Sequence, residues 1–242
     1  TAAGNYAGAR IYDWSGGYGA AVWLAAGAAT LAGALALTVR PRAREIDEQN
    51  RFPSDLVAEM GRLGLFGLHM PEEYGGSGAD VLTTCMAHEA AGRAGVDGGF
   101  TLSWGAHTFL TMDTLHKWGN EEQRKKYVPK LATGEWVGAM GLTEPNAGSD
   151  AAGLETTAVR KGDKYILNGT KMFITNGPIA DVLVIYATVD KNLKHQGITG
   201  FIVEKDMPGY SVGKELNKMC CRSSTTGELV FDDCEVPVEN RL

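Results

Sequence analysis

The chain has 242 residues, 44% hydrophobic and 21% charged, with a formal net charge of −6 and a pI near 5.4. That balance excludes a disordered polyelectrolyte, and no basic patch interleaved with aromatics relieves the acidity as a nucleic-acid partner would require. Four cysteines without a C-x-x-C pair fit a reduced compartment better than a disulfide framework, in a length that allows one large domain or two.

Residues 19–39 contain no charge, a length that crosses a bilayer core as a helix. Asp13 precedes the run and Arg40, Arg42 and Arg44 follow it, which would place its carboxyl end in the cytoplasm. Ala29 and Gly33 offer the small-xxx-small face of packed membrane helices. The run starts too late and is too long for a signal peptide. Together with residues 9–18 it resembles the last transmembrane hairpin of major facilitator superfamily transporters. Residues 1–39 are therefore expected to be a transmembrane-like segment tethering a cytoplasmic body to the inner membrane. The alternative is a buried, Ala-rich helix.

From Arg40 onward charges return at normal density. Residues 42–49 read as a polar helix that stops before Phe52-Pro53. Ser54 and Asp55 are placed to cap a second helix carrying Leu56, Met60, Leu63 and Leu65 at helical spacing. Pro71 and the run Gly75-Gly76-Ser77-Gly78 break the chain. Helices follow over 81–94 and 100–118, the second long and apolar enough to be central to a bundle. Asn120 caps a fifth helix, with Gln123 completing a capping box. His88, His107 and His116 lack the facing carboxylates or i+4 partner of a metal site, and read as core or surface residues.

Beyond residue 134 the pattern alternates as strands do. Asn168-Gly169, between Tyr165-Ile166-Leu167 and residues 171–175, is the strongest short-range signal for a two-residue hairpin turn. Residues 160–164 mark a second turn, and residues 181–188, 200–204 and 228–231 read as further strands. About seven short strands with no helix between them predict a small antiparallel barrel or sandwich. The fold class expected is thus α and β in separate domains: a helical bundle over 40–133, then a small antiparallel β-barrel over 134–242.

The loop Leu142-Thr143-Glu144-Pro145-Asn146-Ala147-Gly148-Ser149-Asp150 follows a strand and carries hydroxyls, carboxylates and a Gly-Ser step. Such a turn exposes amides and a hydroxyl, the donors a phosphate or pyrophosphate takes up, and no Lys follows the glycine as a P-loop requires. Taken alone, a Gly-Ser loop is more often only a turn. Thr143-Glu144-Pro145 with Gly148-Ser149-Asp150, however, resembles the T-E-P-x-x-G-S-D signature of acyl-CoA dehydrogenases. Residues 70–76, 168–177 and 228–237 agree with the same family in order and spacing, and the resemblance runs from about residue 39 to 242.

The resemblance implies an FAD-dependent oxidoreductase of acyl-CoA or fatty acid metabolism, converting an acyl-CoA thioester to a trans-2-enoyl-CoA. By that analogy residues 140–149 line the flavin: Met140, Leu142, Thr143 and Gly148 with Ser149, which would hold phosphate oxygens and approach the substrate. Phe173, Ile174 and Thr175 match the family's aromatic-Ile-Thr triplet, the ring packing on the isoalloxazine and the Thr175 hydroxyl lying near N5. His195 and Gln196 fall on the loop that contacts CoA in relatives. The partners implied are the acyl-CoA, electron-transfer flavoprotein as electron acceptor, and further copies of the chain. The family's base, a glutamate in a carboxyl-terminal helical domain, would follow Leu242, so no catalytic residue is assigned and the chain alone is expected to be inactive. An arginine that pairs with the distal carboxylate in the glutaryl-CoA branch is replaced by Thr101, which implies a neutral acyl chain. Cys220 stands where relatives usually carry Gly. Adjacent to Cys221, it reads as structural or incidental. The rival readings are a flavin oxidase or monooxygenase on the same scaffold, and a transporter tail fused to a silent FAD- or CoA-binding module.

Overall fold

The computed structural model describes residues 27, 30, 42–49, 51–94 and 97–242. Apart from Gly27 and Thr30, the apolar run expected to span a membrane lies outside these residues. Among the described residues no helix is long and apolar enough to cross a bilayer.

Helix α1 (Ala43–Glu48) buries Ile46, and α2 (Ser54–Arg62) buries Leu56, Val57 and Met60 along one face. The expected cap of α2 does not form. The Ser54 N–H donates to the Phe52 carbonyl, which leaves Pro53 in the capping position and Ser54 one place inside the helix, past the site where a hydroxyl can cap. Asp55 instead pairs with Arg42 and Arg51. Asp80 caps α3 (Val81–Arg93) and Asp97 caps α4 (Gly98–Gly105) through the amides of Thr83 and Phe100. Helix α4 runs without a break through a π-helical stretch, Ala106–Met112, into α5 (Asp113–Trp118). The long central helix is therefore one rod with a wide-wound middle. The capping box of Asn120 and Gln123 opens α6 (Glu121–Ala132), and the Gln123 amide also donates to the carbonyls of Glu239 and Arg241.

Seven strands among the described residues build one curled sheet: β1 (Gly138–Gly141), β2 (Thr157–Lys161), β3 (Lys164–Thr175), β4 (Val182–Thr188), β5 (Ile198–Glu204), β6 (Tyr210–Glu215) and β7 (Thr226–Pro237). Its order is β1-β4-β2-β3-β7-β6, with β5 also on β4. The sheet is mixed rather than antiparallel, because β1 runs parallel to β4 with Gly138 opposite Val182. The β2–β3 hairpin lies between them in the chain and supplies the long crossover that parallel pairing needs.

Asn168-Gly169 is not a hairpin turn. It lies inside the continuous strand β3, opposite an extra residue on β7. The Asn168 side chain donates to Asp233 and accepts from the Asp233 amide, so its turn-forming amide is used across the strand pair. Gly169 has φ +150°, and a Cβ there would come within 2.4 Å of the Thr156 hydroxyl, so close approach of backbone selects the glycine. The β2–β3 turn is at Gly162-Asp163, as expected. Met112, Leu115, Tyr127 and Leu131 of the helices pack on Val182, Val184 and Ile202, which joins the bundle to the sheet.

Candidate functional site

Strand β1 delivers the chain into the 142–150 loop, and a buried ion pair holds the loop there. Lys171 on β3 donates 2.6 Å to a carboxylate oxygen of Glu144, with side chains 0% and 3% exposed. The same ammonium reaches the Leu142 carbonyl at 3.3 Å, and the Met172 amide donates to the Thr143 carbonyl at 2.8 Å. Glu144 accepts in addition from the amides of Glu155 and Thr156. Burial works to raise its pKa, but the Lys171 and amide hydrogen bonds outweigh burial and hold the carboxyl below its ordinary pKa. Glu144 and Ala147 exchange backbone hydrogen bonds, which closes the turn at Pro145-Asn146. Glu144 is therefore a brace of the loop. Gly148 and Ser149 lie exposed beyond it.

Two residues beyond Lys171 the strand bulges: Lys171 faces Leu229 and Ile174 faces Gly227, so β3 carries one residue too many. The bulge turns Phe173 outward, 60% exposed, with φ +61°. A bulky side chain in the left-handed region is a strained arrangement that surrounding structure must impose. Here Ile174 is anchored in the sheet core and Asn176 in the seam with the helices. The Asn176 amide donates to the carbonyls of Ser103 on α4 and Gly138 on β1. Met140 is half-buried on β1, and Thr143 and Thr175 are half-buried on either side of the zipped segment. The hydroxyls of Thr143, Ser149 and Thr175 make no hydrogen bond among the described residues.

His195 and Gln196 are exposed in the turn Lys191–Gly197, which adjoins the Ala151–Gly153 turn that follows Ser149. The structure thus sets the Phe173 triplet beside the 142–149 loop, through the Met172 amide and the Thr143 carbonyl, and the His195 turn beside the segment that follows that loop. Reasoning from sequence missed Lys171 and Asn176 as supports. The signal for Lys171 was a charged residue at an inward position of a strand that pairs on both sides.

A flat ring held outward under strain, with uncommitted hydroxyls beside it, suits a planar group that has an apolar face and a polar rim. Residues 26–135 match the acyl-CoA dehydrogenase, N-terminal domain, and residues 139–234 match the acyl-CoA dehydrogenase, middle domain. The chain belongs to the acyl-CoA dehydrogenase family. The amino-terminal match begins inside the apolar run rather than after it. Over 204 residues the chain is 48% identical to an acyl-CoA dehydrogenase, short-chain specific, from Clostridium acetobutylicum, covering 84% of this chain and 53% of that protein. It is 48% identical over 206 residues to the mitochondrial isovaleryl-CoA dehydrogenase of Solanum tuberosum, covering 84% and 50%. A crystal structure of an acyl-CoA dehydrogenase complexed with FAD, from Bacillus anthracis, superposes with a TM-score of 0.81 at 41% identity, over 89% of this chain and 37% of that one. The chain spans about half the length of the curated relatives it matches.

Proposed function

We propose that this chain forms the flavin- and thioester-binding half of an FAD-dependent acyl-CoA dehydrogenase. The observation that carries the reading is Phe173, an aromatic ring turned outward on a left-handed backbone beside the free hydroxyls of Thr143 and Thr175. Bound there, FAD supplies a two-electron hydride acceptor. Phe173 offers the apolar face, and the Thr143 and Thr175 hydroxyls donate to the polar rim, favouring an electron-rich ring. Ser149 and the amides of its turn hold phosphate oxygens, while His195 and Gln196 meet the CoA portion of the thioester. By the family resemblance, electron-transfer flavoprotein takes the electrons onward.

The test is flavin retention by the protein at its natural length. Ser149→Ala is expected to weaken FAD binding by about 1–3 kcal/mol, the loss of one hydrogen bond to a charged group. Fluorescence titration of the apoprotein reads it. Unchanged affinity in Ser149→Ala and Phe173→Ala together would place the flavin elsewhere.

A further inference from the structure

Residues 216–225 join β6 to β7 and are anchored at both ends. The Leu216 amide donates to the Thr226 carbonyl, the Arg222 guanidinium pairs with the Asp47 carboxylate at 2.6 Å, and the Ser223 hydroxyl bonds Asp97. Lys218 donates to the Ser224 carbonyl and the Thr226 hydroxyl. The loop sits directly on the first turn of α4, where a Cβ added at Gly99 would lie 2.8 Å from the Cys221 carbonyl oxygen. Between these anchors Cys220 is exposed and Cys221 is half-buried with φ +53°. The two thiols stand on neighbouring residues of this anchored loop, two and three places beyond Lys218.

We propose that Cys220 and Cys221 form a vicinal dithiol that closes to a disulfide ring on reaction with a low-molecular-weight disulfide. Cys220, the more exposed, is the sulfur that meets the oxidant. Its thiolate attacks one sulfur of the small disulfide, breaks that S–S bond and releases one small thiol. The Cys221 thiol then gives up its proton, attacks the Cys220 sulfur of the mixed disulfide and expels the second small thiol. Two electrons and two protons pass from the cysteine pair to the small disulfide. Burial and the neighbouring Cys220 thiol push the Cys221 thiol up. Adjacent α-carbons lie about 3.8 Å apart, below the usual span of about 4.4–6.8 Å, so the ring is strained and readily reduced. Such a bond suits reversible switching rather than structural crosslinking.

The experiment incubates the natural-length protein with glutathione disulfide, quenches with acid and alkylates the remaining thiols before peptide mass analysis. Cys85, exposed on α3, is the single-thiol reference. The peptide holding Cys220 and Cys221 is expected to be lighter by two hydrogens and free of alkylation, and to return to the dithiol with dithiothreitol. Cys221→Ser is expected to keep one glutathione on Cys220. A lasting glutathione adduct on Cys220 of the unsubstituted protein overturns the proposal. Alkylation of both cysteines to the same extent as Cys85 does so too.

Discussion

Phe173 combines a bulky ring with a backbone conformation that bulky residues avoid, and the ring is 60% exposed rather than packed. Relieving the left-handed strain with Phe173→Gly gains about 1–2 kcal/mol, against about 0.5–1 kcal/mol of glycine chain entropy. The expected result is an apoprotein more stable by up to about 1.5 kcal/mol that binds FAD more weakly. Urea unfolding and flavin titration of the same variant test the pair of effects, and a destabilised apoprotein would contradict it. Lys171 shows the opposite balance. Lys171→Met leaves the Glu144 carboxylate buried without a cation, which costs about 3–5 kcal/mol. Adding Glu144→Gln is expected to recover part of that loss, and a double-mutant cycle measures how much. Because the Glu144 carboxyl is held below its ordinary pKa, its share of stability is present above the unfolded value and lost as pH falls through the folded one.

The π-helical stretch Ala106–Met112 and strand β1 meet at His107. Its Nδ1 accepts from the Gly138 amide at 3.0 Å and its Nε2 donates to the Leu131 carbonyl at 2.9 Å, so one neutral tautomer ties the rod to α6 and to the strand that leads into the 142–150 loop. Burial holds the imidazole pKa down at about 4, against 6.5 in the unfolded chain. Between these values the unfolded chain takes up a proton that the folded one refuses, so stability falls as pH drops from about 6.5 towards 4, by about 3 kcal/mol in all. His107→Gln is expected to be less stable at pH 7 but to lose less stability on acidification. Urea unfolding at pH 7, 5.5 and 4.5 gives both slopes, and parallel slopes would show that His107 titrates normally. The bulge at Phe173 works at the same scale: one surplus residue re-aims a side chain that strict alternation would otherwise place.

At the scale of the whole molecule, the helices and the sheet form one body, because the α5 and α6 residues Leu115, Tyr127 and Leu131 complete a core with β4 and β5. On the proposed function, and by the family resemblance, Thr101 at the start of α4 bears on substrate choice. Thr101 donates its hydroxyl back to the carbonyls of Asp97 at 3.2 Å and Gly98 at 3.0 Å, and it offers no cation to a distal carboxylate. Burying that carboxylate unpaired costs several kcal/mol. The natural-length enzyme is therefore expected to favour butyryl- or isovaleryl-CoA over glutaryl-CoA by about a hundredfold in kcat/KM, about 3 kcal/mol. Steady-state kinetics with the three thioesters decides it, and a preference for glutaryl-CoA would refute the argument from Thr101.

Local signals determined the elements whose causes are themselves local. The Asn120–Gln123 capping box, the central apolar helix and the Gly162-Asp163 turn needed only side-chain chemistry and spacing within a few residues. The order of motifs likewise identified the family, because those residue types recur at set offsets. Tertiary structure decided what depends on partners distant in the chain. Asn168-Gly169 has the composition of a turn, yet pairing with β7 and the approach of Thr156 make it a strand interior. Parallel pairing of β1 with β4 leaves no trace in the alternation of either strand, since both parallel and antiparallel partners place alternate side chains on opposite faces. Glu144, read as a loop carboxylate, became a buried brace only because Lys171, 27 residues away, meets it. No local pattern encodes that meeting, because an ion pair is fixed by where two strands come together and not by what stands next to either residue.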